Sequence, residues 1–130
     1  METSLVKSNN SENNVLSKEK LYSLDMVEAV SGGNKEFIKK MVLLFIETIP
    51  KDVKQLSNSC ASKDWAQVAK TAHKLKSTID SMAIKSIKEV VRTIESNAKN
   101  QTSLEQVPAL CDKITAVINE CVVQLSAEIM

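Results

Sequence analysis

Two apolar stripes that cannot belong to one straight helix constrain this chain more than any other feature of its sequence. Trp65, Val68, Ala72, Leu75, Ile79 and Met82 recur at steps of three and four, which at about 100° per residue gathers them on one helix face. Ile84, Ile87, Val91, Ile94 and Ala98 keep the same spacing, but their common direction is displaced from the first by roughly 115°. No glycine or proline separates the two sets. One helix could not bury both against one core, so the phase shift predicts a break near Asp80 to Ala83. The first of the two helices is expected to run from about Lys63 to Ser81.

The rest of the chain reads the same way. Apart from Met1, residues 1–19 carry only Leu5, Val6, Val15 and Leu16 as scattered apolar side chains in a stretch rich in Ser, Asn, Glu and Lys, which predicts a disordered leader or linker before a helical domain over 20–130. Leu21, Leu24, Val27 and Val30 predict a short helix stopped by Gly32-Gly33, because glycine accepts the left-handed conformation at a helix end. Asn34 is placed to cap the next helix, with Glu36 in its first turn.

Phe37, Met41, Leu44, Phe45, Thr48 and Gln55/Leu56 are read as the inward face of that helix. Ile38, Val42, Leu43, Ile46 and Ile49 widen its apolar surface well beyond one stripe. Burial between several neighbours accounts for the surplus, and a partner-docking patch near the level of His73 is the functional alternative. Pro50 predicts a kink or break, at about 3 kcal/mol in a helix interior, in a helix ending near Ser59.

Ser62 is expected to cap the helix after that, with Asp64 in its first turn. Following a polar connection over 97–103, Thr102-x-x-Glu105 reads as a capping box opening a last helix, with Pro108 in its early turns. The expected fold is all-α: an up-down-up-down four-helix bundle with a short N-terminal cap helix.

Composition agrees with this class. Two glycines, two prolines and 3% aromatic residues argue against a sheet protein. Seventeen basic and sixteen acidic side chains leave a net charge of +1, too weak a field to imply nucleic acid or a membrane surface. A partner recognised by shape and apolar contact is expected instead. Cys60, Cys111 and Cys121 are odd in number and far apart, so they read as small core hydrophobes and not as a disulfide framework. With no signal-peptide pattern and no apolar run long enough for a span, a reducing cytoplasm is the expected location.

His73 is the sole histidine, and it points about 135° away from the first stripe, alongside Lys70 and Ser77. A core histidine would occupy a stripe position. One histidine with scattered cysteines lacks the ligand spacing of a zinc site, and no serine or cysteine is placed with a base and a third orienting group. An exposed imidazole among lysines can act as a nucleophile toward a phosphoryl group whose oxygens the ammonium groups attract. Lys76, one turn on, can lie beside it, and Ser77 could donate a hydrogen bond to the bound phosphoryl group. A chance surface histidine is the plain alternative.

Ala72-His73-Lys74-Leu75-Lys76 resembles the His-x-Leu-Lys-Gly core of histidine-containing phosphotransfer domains, the helical relay modules of multistep two-component signalling. The likeness takes in Leu24 to Gly33, Asn34-Lys35-Glu36-Phe37-Ile38, Phe45, Pro50 and Asp64 in the family's order, over about residues 22–99. Ser77 and Ala83 stand where the family has glycines that leave room for a partner's loops.

The resemblance implies that His73 is the phosphoacceptor and Lys76 its positive neighbour. His73 would take a phosphoryl group from a receiver-domain aspartate and pass it to another. Response-regulator receiver domains and a hybrid histidine kinase would be the partners of a monomer with no kinase activity and no cofactor of its own, magnesium belonging to the receiver. The residues alone leave a second reading, a helical adaptor that binds a signalling partner without phosphoryl transfer. A hydrolase comes third, for want of a nucleophile and base pair.

Overall fold

Five α-helices follow one another in the computed structural model, which describes residues 19–129: α1 (Asp25–Ser31), α2 (Lys35–Ala61), α3 (Trp65–Ser81), α4 (Lys88–Asn100) and α5 (Val107–Ile129). Short 3-10 turns at Lys85–Ile87 and Leu104–Gln106 lead into α4 and α5, and no strand occurs among the described residues. Each of α2 to α5 packs on its neighbours in sequence and α5 returns to α2, which closes an up-down-up-down four-helix bundle; α1 sits against α2. The expected leader lies outside the described residues except for Glu19.

The break between the two stripes falls where their phases conflict. Val68, Ala72, Leu75, Ile79 and Met82 are buried on one side of it, and Ile84, Ile87, Val91, Ile94 and Ala98 on the other. Trp65 is half-buried against the same core. The chain turns through Ala83 at φ +51°, while the Ile84 N–H donates to the Ile79 carbonyl at 3.0 Å. Left-handed backbone costs a residue with a Cβ about 1–2 kcal/mol, so a glycine here would have a conformational use besides making room for a partner.

α2 departs from the expected face. Val42, Phe45, Ile49, Val53, Leu56 and Cys60 are the buried set, whereas Phe37, Met41, Leu43, Leu44, Thr48 and Gln55 are exposed. Of the surplus set, Val42 and Ile49 are buried and Ile38 and Ile46 pack half-buried on the core, whereas Leu43, with Met41 and Leu44 beside it, is left uncovered by the described residues. α2 also runs unbroken through Pro50 to Ala61. Loss of one backbone donor is tolerated because Ile49 and Val53 on either side are held in the core.

Helix ends obey local chemistry, with two corrections. Asn34 caps α2 as expected, its side chain accepting from the Phe37 N–H at 3.0 Å. Ser62 does not cap α3. Its N–H and that of Lys63 close the end of α2 on the Asn58 and Cys60 carbonyls, Lys63 takes φ +59°, and Asp64 is the cap, accepting from the Gln67 N–H at 3.2 Å. The turn is too short for Ser62 to serve the helix after it.

The Thr102–Glu105 capping box does not form either. α4 continues to Asn100, the Thr102 N–H goes back to the Asn97 carbonyl, and Ser103, at φ +49°, precedes the 3-10 turn without a side-chain cap. Pro108 is the second residue of α5, where its missing donor costs nothing. α1 begins only after Leu24, so Val27 is buried while Val30 is 77% exposed; Gly32, at φ +66°, ends it as expected.

Ahead of α1 the chain is strapped to α5. The Gln124 side chain accepts from the Leu21 N–H and donates to the Glu19 carbonyl, and the Tyr22 hydroxyl donates to Glu128. The three cysteines are free and buried, and burial pushes the Cys111 thiol up to about 12 and the Cys121 thiol up to about 11.

Candidate functional site

Leu75 and Ala72 set the roll of α3 by entering the core, and that roll turns His73 outward. Its side chain is 70% exposed. Across the groove on α4, Ile94 and Ala98 are buried in the same way and bring Glu95, between them in sequence, up beside the imidazole. His73 Nδ1 lies 2.7 Å from Glu95 Oε2, and Lys76 Nζ lies 2.7 Å from Glu95 Oε1. Only 17% of the Glu95 side chain is exposed, so a nearly enclosed carboxylate holds the ring from behind and the ammonium from the side.

In the neutral ring this contact requires Nδ1 to carry the proton, since a carboxylate can only accept. The lone pair then resides on Nε2, which makes no hydrogen bond among the described residues. The atom free to attack is the one farthest from the backbone. Lys76 has three donors and Glu95 takes one, so two remain uncommitted.

Among the described residues no cluster of His, Cys, Asp and Glu could hold a metal ion. No described helix is long and apolar enough to cross a membrane.

Of the site residues expected from sequence, His73 and Lys76 come together, though through an acid between them. Ser77 is exposed one turn beyond His73, its hydroxyl donating to the Lys74 carbonyl at 3.3 Å. Lys74 reaches Asp52 on α2 at 3.1 Å. Glu95 is the residue that sequence reasoning missed. In an antiparallel pair the partner of His73 lies about as far beyond the turn as His73 lies before it, which brings the turn from Arg92 to Glu95 into view. Arg92 proves to brace the same pair of helices, through Asp80 at 2.7 and 3.2 Å.

The Hpt domain model matches residues 40–128. The chain belongs to the Hpt domain family. Membership places it among the proteins of two-component phosphorelays. A relative, Phosphotransferase RcsD of Escherichia coli (strain K12), is 38% identical over 52 residues, a match covering 40% of this chain and 6% of the relative's length. No solved structure matches the chain.

The charges of this Hpt domain's site also bear on its stability. Lys76's hydrogen bond, more than His73's, holds the Glu95 carboxyl below the usual carboxylate range against the opposing effect of burial. A carboxyl whose value is lower folded than unfolded stabilises fully above the unfolded value of about 4.3, and that contribution drains as pH falls through the folded value. Thermal melts of the parent should therefore lose stability below about pH 5 more steeply than those of Glu95→Gln, which has no proton to take up there. Parallel curves would mean that the contact contributes nothing to folding.

Proposed function

We propose that His73 is the phosphoacceptor of a phosphorelay, taking a phosphoryl group from the aspartate of one receiver domain and delivering it to the aspartate of another. The observation that carries this reading is the 2.7 Å bond from Nδ1 to Glu95, which leaves the Nε2 lone pair on a side chain that is 70% exposed. The Nε2 pair attacks phosphorus in line, the N–P bond forms, and the P–O bond to the partner's carboxylate breaks with its electron pair leaving on that carboxylate. Nδ1 keeps its proton. The positive charge that the ring acquires develops directly against the Glu95 carboxylate, and Lys76 faces the phosphoryl oxygens with the donors that Glu95 does not use.

Nothing in this scheme phosphorylates from ATP, so on this reading the domain is a carrier and not a kinase. Magnesium belongs to the receiver's acidic site, and the module needs no cofactor of its own. It acts as a monomer in the cytoplasm, with a hybrid histidine kinase and response regulators as partners. The exposed apolar side chains of α2, among them Met41 and Leu44, border a groove with Ser77 and Ser81 one to two turns beyond His73, which supports docking of a protein on that side.

Incubation with a phosphorylated receiver domain tests the reading. The expected product carries an acid-labile, base-stable phosphoryl group that peptide mapping assigns to His73. An acid-stable label, or one on another residue, would refute it.

A further inference from the structure

Two of the four lysines around His73 are already committed. Lys76 is held by Glu95 at 2.7 Å and Lys74 by Asp52 at 3.1 Å. Lys70 and Lys99 form no ion pair or hydrogen bond among the described residues, and both are exposed. They are also neighbours in the fold. Lys70 lies one turn before His73 on α3, Lys99 lies one turn after Glu95 on α4, and the two helices run antiparallel, so both lysines fall on the same side of the His73–Glu95 contact.

Between them runs an open groove of about 500 Å³ with His73 and Glu95 at its head and Ala66, Ala69 and Ala98 along its floor. Its one carboxylate is Glu95, which is already engaged by the Lys76 ammonium and the His73 ring. The groove is thus locally positive on a chain whose net charge is only +1, and no bulky side chain on its floor bars a main chain from approaching.

We infer that this groove receives an acidic segment of the partner that brings its phosphoryl group to His73, with Lys70 and Lys99 as the charges that select it. The inference rests on the reading of His73 as phosphoacceptor. It assigns the α3–α4 side of His73 a role distinct from that of the apolar α2 side. The α2-side groove is lined by no charged side chain, whereas the α3–α4 groove sets two uncommitted ammonium groups beside a floor of alanines. Exposed charges at a rim act mainly on association rate and on choice of partner, so their effect should be strongest at low salt.

The test compares two donors to the same protein, a phosphorylated receiver domain and the small donor phosphoramidate. In the double charge reversal Lys70→Glu/Lys99→Glu, the ratio of the receiver's kcat/KM to the phosphoramidate rate should fall by about tenfold or more at low ionic strength. The parent's ratio should decline with added salt, and the variant's should not. Lys70→Gln/Lys99→Gln should lie between them, and circular dichroism should report the same helix content for all three.

An unchanged ratio overturns the inference while leaving His73's role intact. An equal loss with both donors also overturns it, because the lysines would then act on the histidine and not on a partner. If sedimentation shows a dimer of the parent that charge reversal dissociates, the groove's occupant is a second copy and the inference fails. Absence of labelling from either donor in the parent would instead remove the reading on which it rests.

Discussion

A His73→Gln variant is expected to fold as the parent does and to accept no phosphoryl group from a phosphorylated receiver. The imidazole contributes nothing to the core, which on α3 consists of Val68, Ala72, Leu75 and Ile79. Exposed substitutions of this kind usually change stability by less than about 0.5 kcal/mol. Glutamine retains an amide N–H for Glu95 but has no basic nitrogen, so the substitution removes the nucleophile and spares its surroundings. Labelling with a phosphorylated receiver, followed by a thermal melt, measures both halves of the expectation. A label that survives at the parental level would place the acceptor elsewhere. Unaltered partner affinity, with no label in either protein, would restore the adaptor reading.

The parts of this structure that were legible in the sequence are those where apolar residues are sparse enough for their spacing to choose a face. The stripes around Leu75 and Ile94 did so, and their phase difference located the turn at Ala83 without any glycine to mark it. α2 defeated the same reasoning because its first half is apolar almost all round, and periodicity cannot select among faces that are all occupied. Its second half decides the matter. Val53, Leu56 and Cys60, extended back at helical spacing, lead to Ile49, Phe45 and Val42, and Leu44 lies roughly 140° from that face.

The cap errors have another origin. Ser62, Asp64, Thr102 and Ser103 all have cap chemistry, and which of them is used depends on how many residues each turn needs to close the helix before it. At the site, roll alone gave an outward His73. Glu95 required knowing which residue of α4 stands opposite, and that depends on the length of the turn and the 3-10 segment at Lys85–Ile87.

Glu95→Ala should slow phosphoryl acceptance by about 100-fold, and Glu95→Gln by about tenfold. The carboxylate has two separable effects, since it holds the Nδ1–H tautomer through Oε2 and places its charge against the ring cation formed on attack. Alanine removes both and also frees Lys76 from its 2.7 Å contact. Glutamine's amide oxygen can still accept from Nδ1, so it keeps the orientation and loses the charge.

Because Glu95 lies behind the ring and is largely enclosed, the loss should appear in kcat, with KM for the receiver nearly unchanged. Nitrogen NMR of the His73 ring separates positioning from general structural damage. The Nδ1–H tautomer should dominate in the parent and in Glu95→Gln, while Glu95→Ala should show a mixture with Nε2–H. A cycle with Lys76→Ala should be strongly non-additive, because one carboxylate serves both the imidazole and the ammonium. Parental rates and an unchanged tautomer in Glu95→Ala would reduce this acid to a spacer, and the ring would then owe its orientation to the bundle alone.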